Sequence, residues 1–192
     1  MSRTFACGIG RSGALILSLS LLLTSVAGAD STRPRTVSDT KPSTAKTTEE
    51  LQPIVFKADD LEERAFAAIN RERAAYGLAP LRFAPDLSVV ARAHSQDMVE
   101  RDYFAHQSPE GKDLRHRFAR YGISNWRYIA ENIACNRGYE DPVVTAVTGW
   151  MNSPGHRKNI LNKGLAESGI GVAVSEAGRV VFTQVFVTRE GK

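Results

Sequence analysis

With 192 residues, 25 Lys and Arg against 21 Asp and Glu, and a formal charge of +4, the chain has room for one domain of ordinary size or slightly more. Arg3 and Arg11 supply two of those charges, and no arginine-rich run interleaves with aromatic residues, so charge implies neither nucleic acid nor an anionic membrane as a partner. The two cysteines, Cys7 and Cys135, exclude a disulfide-dense scaffold.

Arg3 and Arg11 precede an apolar run, Ala14 to Leu23, that leads to the small-residue pattern Ala27-Gly28-Ala29. This predicts a secretory signal peptide over residues 1–29, cleaved after Ala29, and a secreted or periplasmic product. The rival reading is an uncleaved anchor, but the run falls short of the roughly 20 apolar residues of a spanning helix, so no stable membrane insertion is expected. Cys7 lies before the run and leaves with the signal, which leaves Cys135 without an internal disulfide partner. Residues 30–57, rich in Ser, Thr, Pro and mixed charge, have little to bury and read as a disordered linker.

The folded domain is expected over residues 58–192. DDLEERAFAAINRERAAYG has acidic residues in its first turn, an apolar face of Leu61, Ala65, Phe66, Ile69 and Tyr76, and a closing Gly77, which predicts an amphipathic helix. A second helix runs from Pro85 or Asp86 to about Arg101, with Leu87, Val90, Ala91, His94 and Met98 on one stripe. A short third helix spans residues 112–122, with Leu114, Phe118 and Tyr121 on one side and His116 pointing away from it. Asp141-Pro142 opens a fourth through Val143, Val147, Trp150 and Met151, which runs into Ser153-Pro154-Gly155, read as a tight corner carrying His156. The period then becomes two: Ile170, Val172 and Val174, a turn at 175–178, and RVVFTQVFV form a terminal hairpin. Helices first and strands last suggest an α+β domain with helices covering an antiparallel sheet.

The candidates for chemistry are His94, His106, Glu131 and His156, scattered over some sixty residues without the local spacing of a metal motif. His94 on an apolar stripe reads as a core histidine or a ligand, and His106 as an exposed loop residue or a site residue. Glu131, between Ile129-Ala130 and Ile133-Ala134, is too costly to bury without a partner.

The blocks AINRERAAYGLAPL, ARAHSQDM, YFAHQSPEG, AENIA, GWMNSPGHRKNIL, ESGIGVAV and FTQVF, in that order, closely resemble the bacterial branch of the CAP superfamily of cysteine-rich secretory, antigen-five and pathogenesis-related proteins. The resemblance covers about residues 59–188 and implies a three-layer α-β-α sandwich whose cleft is lined by histidines and acidic residues. In several members that cleft binds a divalent cation. Carried onto this chain, the resemblance implies a cleft of His94, His106, Glu131 and His156, a donor set suited to Zn²⁺ or another divalent cation. It places Asn132, Thr183 and Gln184 near the cleft or its sheet, although a strand glutamine is equally a hydrogen-bonded structural residue. On this reading Ser153, Pro154 and Gly155 aim His156 into the cleft, Gly155 allowing close approach of the backbone.

Three functions compete. The first is a binding module, monomeric, that holds an extracellular or cell-envelope ligand without turning it over. The second is a hydrolase in which Glu131, or a metal-bound water, acts on an envelope peptide, amide or ester. The third makes Cys135 a nucleophile, against the ordinary reading of an apolar-flanked cysteine as inert.

Overall fold

The segment RVVFTQVFVTR forms the strand around which the sheet is built. The protein was characterised as a computed structural model that describes Gly8–Ile9 and residues 56–190. In chain order the elements are β1 (Gly8–Ile9), α1 (Ala58–Ala75), β2 (Arg82–Phe83), α2 (Pro85–Glu100), α3 (Leu114–Arg120), β3 (Trp126–Arg137), α4 (Pro142–Asn152), α5 (Pro154–Ile160), β4 (Glu167–Val174) and β5 (Arg179–Arg189). The sheet order is β1-β3-β5-β4-β2, with β5 antiparallel to both β3 and β4. The two-residue strands β1 and β2 run parallel to β3 and β4 at the edges.

Alternation along β5 assigns the layers. Val180, Phe182 and Phe186 face Leu61, Ala65 and Ile69 of α1, Val143, Val147 and Trp150 of α4, and Ile160 of α5. Val185 and Val187 face the other way, against Leu87, Val90 and Ala91 of α2 and Leu114 and Phe118 of α3, and Val181 packs on Met98. Helices on both faces make the α-β-α sandwich of the expected α+β fold.

Gly169 and Gly171 set the distance between α2 and β4. A Cβ on Gly171 would lie 1.9 Å from the Arg92 backbone nitrogen, and one on Gly169 would lie 2.2 Å from that of Ser88. Glycine is therefore required for the helix to rest on the strand, and Ser95 on that helix donates to the Gly171 carbonyl at 2.9 Å.

Several expectations need correction. Tyr76 is half exposed, and Arg73 instead closes the inner face of α1, donating to the carbonyls of Ala79 (2.9 Å), Ile160 (2.7 Å) and Asn162 (3.1 Å). Glu131 lies in the middle of a 12-residue strand that was not read from the sequence, because WRYIAENIACNR has no clean alternation of polar and apolar residues. Residues 153–155 are not a tight corner: Ser153 separates two helices and Pro154 starts α5. Gly155 makes no close approach, since a Cβ there would meet nothing within 4 Å.

β1 falls within the segment read as a signal peptide, whereas the rest of that segment, and the linker as far as residue 55, lie outside the described residues. Cys135 is disulfide-bonded, which overturns the expectation of a lone thiol and with it a nucleophilic role. Among the described residues no helix is long and apolar enough to cross a membrane.

Candidate functional site

Strand alternation turns Glu131 toward the α2 and α3 side of β3, together with Ile133, and leaves its side chain 5% exposed. A carboxylate there needs partners for both oxygens, and it has them. His106, on the loop after α2, donates from Nδ1 to Glu131 Oε1 at 2.8 Å. Arg117, on α3, donates from Nη2 to Glu131 Oε2 and from Nη1 to the His106 carbonyl at 3.1 Å. Burial by itself raises the Glu131 pKa, but the His106 hydrogen bond and the Arg117 charge outweigh it and hold the carboxyl below its ordinary value.

An ionised carboxylate only accepts, so the proton of a neutral His106 sits on Nδ1 and Nε2 is left as an acceptor. The His106 side chain is 53% exposed. A groove of about 540 Å³ runs past it, bounded by Leu114 of α3 and by Ile129, Glu131 and Ile133 of β3.

His94 is fully buried on the inner stripe of α2, where its Nε2 donates to the Ala105 carbonyl at 3.0 Å. The histidine thereby anchors the residue before His106. Burial lowers its pKa to about 4, a shift that the nearby Glu131 opposes and Arg117 reinforces, so the ring is neutral at physiological pH. His94 and Arg117 line a second groove, of about 780 Å³, between α2 and α3.

His156 is carried by the first turn of α5. Asn132 Nδ2 donates to its carbonyl at 3.1 Å, and Asn159 Nδ2 donates to Asn132 Oδ1 (2.9 Å) and to the Glu131 carbonyl (3.3 Å), which ties α5 to β3 beside Glu131. Burial lowers the His156 pKa and electrostatic interaction with His106 lowers it further, so the two rings lie within electrostatic range.

The structure thus brings His106 and Glu131 into direct contact, sets His94 beneath them and places His156 at the adjoining strand edge. Asn132 positions α5 rather than lining the groove. Gln184 does not line it either: the side chain is fully buried between Phe182 and Phe186 on the α1 and α4 side and donates to Ser168 Oγ at 3.2 Å. Thr183 Oγ1 donates to Ser95 Oγ at 2.9 Å, the Ser95 hydroxyl hydrogen being given to Gly171, and this ties α2 to the sheet. His116 stays outside the site and forms a capping box with Asp113 at the start of α3.

Arg117 and Asn159 were not singled out from the sequence. The signal for Arg117 was present in Glu131, since a carboxylate flanked by apolar residues demands a cation, and Arg117 lies three residues after the buried Leu114.

A divalent cation does not fit these residues as they are arranged. Among the described residues no three His, Cys, Asp or Glu side chains are grouped to hold a metal ion. Both oxygens of Glu131, the one carboxylate of the expected donor set, are already engaged, one of them by a permanent cation.

Comparison with known proteins agrees with this architecture. The family model described as "Cysteine-rich secretory protein family" (CAP) matches residues 66–186. The protein YkwD of Bacillus subtilis (strain 168) is 38% identical over 146 residues, 76% of this chain and 54% of that protein. The membrane protein YlbC of the same organism is 37% identical over 157 residues, 82% of this chain and 39% of that one. The chain therefore spans about half or less of the length of these relatives. Among solved structures, an extracellular protein containing a SCP domain from Bacillus anthracis superposes with a TM-score of 0.58 at 33% identity, covering 69% of this chain and 41% of that one. An outer surface protein of Borrelia burgdorferi superposes with a TM-score of 0.63 at 18% identity, covering 70% and 97%, a likeness of fold alone. With its matched residues spanning most of β3, β4, β5 and the helices around them, this chain belongs to the cysteine-rich secretory protein (CAP) family.

Proposed function

We propose that this chain is an exported binding module whose groove at His106 and Glu131 holds an extracellular or cell-envelope ligand. The supporting observation is the pairing of a half-exposed imidazole with a buried carboxylate that fixes its orientation. Such a pair offers a ligand one directed acceptor, Nε2, on a ring that is already immobilised, which lowers the entropy lost on binding. Ile129, Ile133 and Leu114 supply apolar walls around that polar point, as ligand grooves ordinarily do. Residues 1–29, with their basic start, apolar run and small-residue site, support export, as does the likeness to an extracellular protein.

The test is titration of the purified full chain with soluble cell-wall fragments, followed by calorimetry and, in proteins that keep His106, through its imidazole NMR signals. Binding should perturb those signals and vanish in His106→Ala, while His116→Ala binds as the parent does. Equal effects from the two substitutions would remove the groove from consideration.

The His106–Glu131 pair also supports a second reading, a hydrolase in which His106 Nε2 takes a proton from water attacking a peptide, amide or ester. Binding without turnover is preferred on geometry, because Arg117, the cation next to the pair, is committed to Glu131 and to the His106 carbonyl and is not aimed at a developing oxyanion. Appearance of new amino or carboxyl termini in the same titration, lost in His106→Ala, would reverse that preference.

A further inference from the structure

We infer that Arg117 takes the place of a divalent cation in this cleft, as the built-in counter-charge of Glu131. The inference holds whether the groove binds its ligand or hydrolyses it. A carboxylate buried to 5% exposure in an apolar strand must be neutralised from within the fold, and a bound metal and a guanidinium are alternative ways of doing so.

The geometry favours the guanidinium on three counts. Arg117 is itself nearly buried, at 11% side-chain exposure, and it approaches Glu131 Oε2 in direct hydrogen-bond contact. Its other terminal nitrogen holds the His106 carbonyl at 3.1 Å, so one side chain fixes the acid and the backbone of the histidine that shares it. Its Nε is buried without a hydrogen-bond partner, which shows that the planar group is placed by its contacts with Glu131 and His106 rather than by satisfaction of all its donors. A dication on Glu131 would have to displace this permanent charge or sit beside it, and His106 would have to surrender its hydrogen bond to Oε1 or ligate from Nε2 alone. Zinc sites draw on at least three protein ligands converging on one point, and among the described residues no such group exists.

The role is specific to arginine. A lysine keeps the charge but cannot span Glu131 and the His106 carbonyl with one planar fork. Loss of the guanidinium uncovers a carboxylate oxygen next to His106, and two of the donors expected for a metal then become available together.

The experiment is calorimetric titration of the metal-stripped full chain with Zn²⁺ near neutral pH, for the parent, His106→Ala, Arg117→Ala, Arg117→Lys and Arg117→Ala/His106→Ala. The parent should bind no more tightly than its own His106→Ala variant does, so that whatever zinc it takes is not held in the cleft. Arg117→Ala should gain at least about tenfold in affinity, and the gain should disappear in the double variant. Parent binding in the micromolar range or tighter that is lost with His106→Ala would overturn the inference, and so would a folded Arg117→Ala with no gain. Should Arg117→Ala fail to fold, Arg117→Lys and the parent comparison carry the same decision. Because zinc alone is the probe, failure here leaves the ligand titration of the groove untouched, and failure there leaves this result standing.

Discussion

His106 and Glu131 share a 2.8 Å hydrogen bond across 25 residues of sequence, and their surroundings are opposite: the imidazole is 53% exposed and the carboxylate 5%. The strand carries the charge inward, the loop presents the ring outward, and Arg117 binds both. This division explains how a buried acid contributes to a surface groove. It holds a group that a ligand can reach, and its own charge is neutralised inside the fold.

Removing the carboxylate should be costly for that reason. Glu131→Gln leaves the Arg117 charge nearly buried with only an amide beside it, and breaking a buried pair from one side typically costs about 3–5 kcal/mol. Urea unfolding near pH 7 should show this loss, and adding Arg117→Met should restore part of it, since the uncompensated charge is then gone. The pH dependence has a definite sign. The folded-state pKa of Glu131 lies below its ordinary 4.5, so its contribution is present above about 4.5 and is lost as pH falls further. A loss under 1 kcal/mol on substitution would show that the pair contributes orientation and no stability.

His94 acts in a different pH window. Its folded-state pKa is lowered from 6.5 to about 4 because the ring is buried, so the unfolded chain binds a proton that the folded chain refuses. Stability from this residue is complete above about 6.5 and declines as pH falls toward 4, by on the order of 3 kcal/mol at most. His94→Gln keeps a donor for the Ala105 carbonyl and cannot ionise, so it should flatten the stability profile between those values. An unchanged slope in that variant would assign the window to other groups.

Much of this arrangement could be read from the sequence and some could not, for identifiable reasons. The faces of α1 and α2, the Asp141-Pro142 start of α4 and the 175–178 turn follow from periodicity and caps, which are local signals. Glu131 was legible as an acid in need of a partner, but its strand was not, because β3 carries polar side chains on both faces. The identity of that partner was hidden because contact between α3 and β3 is tertiary: the spacing from Leu114 puts Arg117 on the inner side of α3, but it does not say which strand residue that side meets. Gln184 was open between a place at the cleft and a hydrogen-bonded structural role, and period two, which turns it to the opposite side of the sheet from Thr183 and Val185, decides for the second. The Ser-Pro-Gly stretch was misread because proline opens helices as well as turns.

Two glycines separate these cases experimentally. Gly171→Ala inserts a methyl where the Arg92 backbone already lies 1.9 Å away, and overpacking of this kind typically costs about 1–3 kcal/mol or more as α2 is forced off β4. Gly155→Ala meets nothing within 4 Å in the first turn of α5 and should be neutral or stabilising by up to about 1 kcal/mol. Thermal melts of the two variants should therefore move in opposite directions, or the second not at all. A large loss in Gly155→Ala would restore the close-approach corner that the structure rejects.

Asn159 provides the last test, since it connects the α5 histidine to the strand that holds the acid. Its amide donates to Asn132 Oδ1 at 2.9 Å and to the Glu131 carbonyl at 3.3 Å, while Asn132 in turn holds the His156 carbonyl. Asn159→Ala leaves the fully buried Asn132 with an unsatisfied oxygen, at a cost of about 1–3 kcal/mol, and frees the first turn of α5 from β3. The readout that separates positioning from plain destabilisation is His156 itself. With its carbonyl tether loosened the ring becomes more hydrated, so its depressed pKa should rise toward the ordinary histidine value of 6.5. The buried His94 should keep its low value, because its bond to Ala105 lies on the other face of the sheet. Imidazole NMR titrations of parent and variant compare the two rings directly. A rise at His156 alone marks Asn159 as the residue that positions it, whereas equal movement of both rings, or of neither, would mean that α5 is held to β3 by packing.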